Sequence, residues 1–260
     1  MPRSIIALLL VASACSRPAE PAWARPGAAR AGEPTITGDP AAIPRLATPP
    51  VLDGKLDDPV WAGAATLGPF VDVGDGRDGS GRPVAAFARV GWDDTHLYLG
   101  VIVQDRAPAS PFGRDDDDPH IWSRSSAVEI MLQPGDPGDN RDYYEIQVDV
   151  AGAVFDSHWD DYNTPIRGSG DAKVFGHQDW SSHIERAVSI EEGGFYCLEL
   201  ALPWAALAPA RVVTPPRPGD VWRLEMYSFR DGQRQSLGWT PIRGQGNFHR
   251  ASRFGRVRFQ

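Results

Sequence analysis

Cysteine is nearly absent from this 260-residue chain: only Cys15 and Cys197 occur. They sit in unlike settings, so no disulfide framework is expected to staple the fold. Cys197 falls in an apolar alternating stretch, Gly194 to Leu202, and is expected to be a buried free thiol. Lysine occurs only at positions 55 and 173, no basic run is present, and the formal net charge is -8. That balance argues against a phosphate-binding groove, and nucleic acid is not an expected partner. No segment repeats with a fixed period, which removes propellers and solenoids. The histidines, at 96, 120, 158, 177, 183 and 249, include no pair at the spacing of a zinc site, and zinc chemistry is not expected.

The remaining sequence divides into three parts. Arg3 precedes an apolar run from Ile5 to Ala12 that ends in Ser13, Ala14 and Cys15. The run is too short to span a bilayer as a helix and reads as an export signal over residues 1–15; Cys15 resembles a lipobox cysteine placed for acylation, the alternative being simple cleavage near Ala14 to give a soluble exported protein. From residue 16 to 45 the chain is rich in Ala, Pro, Gly and Arg without apolar period, and is expected to be a flexible tether. Residues 46–260 alternate apolar and polar positions in short runs bounded by Gly, Pro, Asp and Asn. About ten strands with almost no helix predict an all-β fold, an antiparallel, jelly-roll-like β-sandwich. Asp93-Asp94-Thr95 marks one hairpin, and only Pro59 to Ala65 and Pro203 to Leu207 have helical character.

Strand parity then separates two kinds of face. In 127–133, Val128, Ile130 and Leu132 point one way and Glu129 and Gln133 the other; in 143–150, Glu145, Gln147 and Asp149 form a polar row opposite Tyr144, Ile146, Val148 and Val150. If these strands pair, the polar groups gather on one sheet surface, either as an ordinary solvated face or as a binding surface. Trp122 lies in the loop just before the first of them. An aromatic plate beside a carboxylate suits a ligand with an apolar face and a rim of hydroxyls, which describes a sugar.

Four stretches carry a resemblance to the family 9 carbohydrate-binding modules. They are Val51 to Trp61, Val90 to Asp105, Trp122 with Val128-Glu129-Ile130, and a tail that runs from Trp239 through Phe248 to Ser252-Arg-Phe-Gly-Arg-Val-Arg-Phe259. The resemblance covers about residues 46–260 and implies a non-catalytic module. In its sugar-binding members two aromatic rings sandwich a terminal sugar while side chains of the adjoining sheet hold its hydroxyls. Trp122 matches one ring and Phe248 stands where the other is usually Trp. Glu129 matches a polar contact, and Gln147 and Asp149 fall on the strand that carries two more, where strong binders have Arg and Asn. Trp239, in that tail, joins the candidate ligand residues; so, on its position alone, does Arg230, which ends a strand and is placed to point either at a ligand or at the neighbours of Asp231. The family's structural calcium raises the acidic run Asp115, Asp116, Asp117 and Asp118 to a candidate cation site, although four consecutive acids cannot all turn toward one ion.

The expected function is carbohydrate binding, to glycan ends, in polysaccharide recognition or breakdown at the cell surface, by a monomer anchored to the bacterial envelope through lipid on Cys15. Two rivals stand against it. Similar sandwiches bind haem through Met and His, for which Met131, Met226 and His158 are candidates, and Glu129 with Asp149 could form the carboxylate pair of a glycoside hydrolase.

Overall fold

Short alternating runs become strands wherever turn residues bound them, and the computed structural model, which describes residues 36–77, 84–207, 210–230, 236–243 and 247–260, contains thirteen. In chain order they are β1 (Ala41–Ile43), β2 (Ala65–Leu67), β3 (Val71–Asp72), β4 (Val84–Trp92), β5 (His96–Asp105), β6 (Ala127–Gln133), β7 (Arg141–Asp149), β8 (Val154–Asp161), β9 (Glu185–Glu191), β10 (Phe195–Pro203), β11 (Val221–Phe229), β12 (Leu237–Gly238) and β13 (Gly255–Phe259). The larger sheet has the order β1-β13-β11-β6-β7-β8, with β12 beside β11 and β3 beyond it; the smaller is β2-β4-β5-β10-β9. Every pairing is antiparallel except that of β1 with β13. The fold is the predicted all-β sandwich. The three strands beyond the predicted ten, β1, β2 and β3, are two or three residues long, too short for alternation to register. The two segments of helical character form single 3-10 turns, Pro59–Gly63 and Trp204–Leu207.

The folded part starts earlier than expected. Ile43 lies in the supposed tether yet is fully buried, its carbonyl accepts the Trp92 indole N–H at 3.2 Å, and β1 completes the edge of the larger sheet. Cys15 and the export signal lie outside the described residues. Among those described, no helix is long and apolar enough to cross a membrane.

The inner faces of the sheets close on one apolar core, to which β6 gives Val128, Ile130 and Leu132, β7 gives Tyr144, Ile146 and Val148, and Trp92, Trp204 and Trp222 add large rings. A second, smaller cluster covers the outer face of the smaller sheet. There Glu199 is fully buried and accepts hydrogen bonds from the Trp61 indole at 2.8 Å and from the backbone N–H groups of Asp53, Gly54 and Lys55 at 2.8, 2.8 and 3.2 Å. The stretch Val51 to Trp61 is therefore a cradle for one carboxylate. Gly54 is required in it, because its φ is +85° and an added Cβ would lie 2.9 Å from the Ser189 nitrogen. Cys197 is a buried free thiol, and burial pushes it up to about 12.

Candidate functional site

The outer face of the larger sheet carries the polar row, and it is not solvated. Glu129 and Gln147 are each 1% exposed, and Glu145 and Asp149 are buried. Segments from the β5–β6 and β12–β13 connections lie over the face, adding Ile121, Ile242, Phe248 and Ala251 to a cluster with Met131, Tyr143, Phe155, Tyr227 and Phe229.

Cross-strand register sets the geometry. Glu129 on β6 faces Gln147 on β7, and Met131 faces Glu145. The Gln147 side-chain N–H₂ donates to Glu129 Oε2 at 3.1 Å and to Glu145 Oε1 at 2.8 Å, bridging the two acids. The Trp159 indole N–H donates to Glu145 Oε2 at 3.0 Å. Gln147 Oε1 is buried with no hydrogen-bond partner among the described residues. Burial pushes Glu145 up to about 7, opposed by the hydrogen bonds from Gln147 and Trp159. Burial also holds Glu129 well above the usual carboxylate range, and the charge of Glu145 adds to the effect. The group can thus both donate and accept hydrogen bonds near neutral pH, which suits hydroxyl recognition.

Aromatic rings wall this group. Trp159 lies 4.7 Å from His249 and 5.3 Å from Tyr162, and His249 stacks on Tyr162 at 4.4 Å. The Tyr143 hydroxyl is 2.8 Å from His249 Nδ1, and burial brings His249 down to about 3, leaving a neutral imidazole. Asn140, just before β7, pins this wall by donating to the His249 carbonyl at 2.9 Å. Trp122 is half-buried on the 3-10 turn Ile121–Ser123; His120 stacks on it at 4.5 Å and Phe155 meets it edge-on at 4.7 Å.

The other expected ligand contacts are placed differently. Phe248 is 5% exposed and stacks on Tyr227 at 4.0 Å with 17° between planes, so it is a packed ring rather than a free plate, and no ring contact joins it to Trp122. Asp149 is spent on local structure: the backbone N–H groups of Ala151 and Ala153 donate to one oxygen at 2.9 Å each, and the hydroxyls of Ser110 and Ser125 donate to the other. It holds the β7–β8 turn and offers a ligand little. Arg230 pairs with the fully buried Asp105 at 3.1 Å. Trp239 packs toward the sandwich core over Gly255, where an added Cβ would lie 2.3 Å from the ring. Glu145, Tyr143, Trp159, Tyr162, His249 and Asn140 are members of the site outside the ligand set that the resemblance implies. Parity had placed Glu145 on the right face, and Tyr143 shares it two residues earlier.

Neither rival arrangement assembles. Met131 and Met226 point to opposite faces of the larger sheet, and His158 on β8 shares a face only with Met226, three strands away, roughly 14 Å at the usual strand spacing. A Met and His pair cannot meet across one haem there. Glu129 and Asp149 share a face, but Asp149 is fully engaged as described. In the acidic run, Asp116 accepts from Gly113 N at 3.0 Å and Asp118 from Asp156 N at 3.3 Å. No three of its carboxylates converge within reach of one ion.

The profile described as "Carbohydrate family 9 binding domain-like" matches residues 52–260. No curated protein matches. Among solved structures, a putative carbohydrate-binding protein from Bacteroides uniformis is similar at 18% identity and a TM-score of 0.64, covering 86% of this chain and 100% of that one. A family 9 carbohydrate-binding module from Caldicellulosiruptor kristjanssonii, solved with cellotriose, is similar at 15% identity and a TM-score of 0.56, covering 85% and 94%. The same organism's module solved with glucose gives 16% identity and 0.56, covering 84% and 95%. With the profile spanning nearly all of the folded part, this chain belongs to the carbohydrate family 9 binding domain-like family.

Proposed function

We propose that this protein binds carbohydrate without turning it over, on the outer face of its larger sheet, with Glu129, Glu145 and Gln147 holding hydroxyls and the half-buried rings of Trp122 and Trp159 covering the sugar's C–H surface. The observation that carries the reading is Gln147 Oε1, a buried acceptor without a partner among the described residues, set beside carboxyls that burial keeps poised to donate or accept. Family membership supports it, as do the glucose and cellotriose held by the similar modules. Stacking and a few water-competing hydrogen bonds give roughly micromolar to millimolar dissociation constants. We propose further that the chain is exported and held at the cell surface by lipid on Cys15, where it serves polysaccharide recognition; Cys15→Ser should release it from membranes.

Isothermal titration with glucose and cellotriose, backed by a glycan array, tests the site. Gln147→Ala and Trp122→Ala should each weaken binding by about fivefold or more, the worth of about 1 kcal/mol. Binding that is unchanged in both variants, or no binding to any glycan, overturns the proposal.

A further inference from the structure

The free edge of the larger sheet carries a second set of ligand side chains, facing away from the polar row. His158 and Asp160 are two residues apart on β8 and so project from the same side of the strand. The segment through His177 runs antiparallel beside it, with His177 N donating to the His158 carbonyl at 2.7 Å and His158 N to the His177 carbonyl at 3.3 Å. Residues directly opposite in such a pair point to one face, which brings His177 to the other two. One ligand atom from each of the three lies within 4.8 Å of the others, an arrangement no other His, Cys, Asp or Glu trio among the described residues matches. His177 Nε2 is 2.8 Å from Asp160 Oδ2, and His158 Nδ1 is 3.7 Å from Asp160 Oδ1. A tetrahedral zinc ion, with bonds of about 2.0–2.1 Å, needs its ligand atoms roughly 3.3 Å apart; the two spacings, one to each oxygen of the Asp160 carboxyl, fall on either side of that value.

We propose that His158, Asp160 and His177 bind a first-row divalent ion of the zinc type, with a fourth position open to solvent. Two imidazoles and a carboxylate form a donor set that suits such an ion, and three protein ligands leave one coordination position for water. The ligands are held in advance. His158 is 8% exposed with its ring stacked on Tyr144 at 4.8 Å, and the remaining ring nitrogen of His177 lies 3.9 Å from Asp179 Oδ1, where a carboxylate can orient a ligating imidazole. Asp160 and His177 are 54% and 34% exposed in their side chains, so an ion can reach them. Spacing along the chain hides this group, because its third member arrives through cross-strand pairing. Its effect would be to fasten the segment around His177 to β8, whose Trp159 packs against Gly176 on the opposite face.

The test is titration of the metal-free full chain with Zn²⁺ by calorimetry, and with Co²⁺ read by visible absorption. One ion per chain should bind, Co²⁺ should give the intense bands of four-coordinate geometry, and Zn²⁺ should raise the melting temperature. His177→Ala and Asp160→Asn should each weaken Zn²⁺ binding by at least about tenfold. Their circular dichroism should match the parent, since the bridge to β8 is made by main-chain atoms. Failure of Zn²⁺ to bind, or equal affinity in both folded variants, overturns the proposal.

Discussion

Two buried glutamates on the outer faces of the two sheets show how differently one residue type can be used. Glu199, on the smaller sheet, is surrounded by four donors that converge on it from Trp61 and the turn at Asp53 to Lys55. Glu145, on the larger sheet, shares the amide of Gln147 with a second acid and sits beside an amide oxygen that has no partner among the described residues. Burial raises Glu145 to about 7. Depth alone does not distinguish the two. The supply of donors does: a carboxylate whose lone pairs are filled by the scaffold is part of the scaffold, whereas one in an under-filled polar group is placed to meet something from outside.

The comparison predicts its largest effect at Glu199. Glu199→Ala strands four buried or half-buried donors at about 1–3 kcal/mol apiece, so stability should fall by about 4 kcal/mol or more in urea denaturation. Carbohydrate titration of whatever remains folded should be unchanged. Glu145→Gln should cost far less, since an amide keeps an acceptor for Trp159 and removes a raised acid. Equal losses in the two variants would break the contrast.

A second effect is the pH dependence of stability. Burial raises Glu225 to about 8, against hydrogen bonds from Thr240 and the backbone, and raises Glu145 to about 7. A carboxyl raised on folding binds more protons in the native state than in the unfolded chain between its two pKa values. Stability therefore falls as pH climbs from about 4.5, the unfolded value, through the folded one, and is flat beyond it. These groups should cost on the order of a few kcal/mol between pH 5 and pH 8. Glu225→Gln should flatten the upper part of that decline, which urea melts at both pH values will report.

The same titration sharpens the binding comparison. Ligand hydroxyls that donate to Glu145 favour its ionised form, so affinity for glucose should rise severalfold as pH passes through about 7. In Glu145→Gln that rise should vanish. A pH-independent affinity in the parent protein would remove Glu145 from the contact set and leave Gln147 to carry it.

Much of this arrangement was legible in the residues, and the exceptions have physical causes. Strands β4 to β13 and the parity of β6 and β7 follow from alternation bounded by turn residues, which is local information. Whether a polar face meets solvent is not local. The row at Glu129, Glu145 and Gln147 reads as solvated or ligand-facing, but its burial depends on segments around Ile121 and Phe248 that arrive from elsewhere in the chain. Asp149 looked like a ligand contact because it shares that row; its position three residues before Gly152 was the signal that a turn would claim it first. Phe248 was matched to a ring position by its order in the tail, and order does not say which neighbour covers it. Tyr227, on β11 of the larger sheet, is that neighbour.

The smallest predicted effect isolates the one scaffold donor that Glu145 takes from beyond its own strand. Trp159→Phe keeps an aromatic wall against His249 and Tyr162 but deletes the indole N–H that reaches Glu145 Oε2 at 3.0 Å. That bond favours the ionised carboxylate, so its loss should move the Glu145 titration upward and shift the pH dependence of binding with it. Stability should drop by only about 1 kcal/mol, because a protonated Glu145 tolerates the missing donor better than an ionised one. The matching change at the scaffold site, Trp61→Phe, removes the indole donor from Glu199 and should cost more, up to about 3 kcal/mol, because a fully buried acceptor is left short of a donor. If the two indoles prove equally valuable at neutral pH, Glu145 is as well supplied as Glu199, and donor supply no longer separates the binding face from the scaffold.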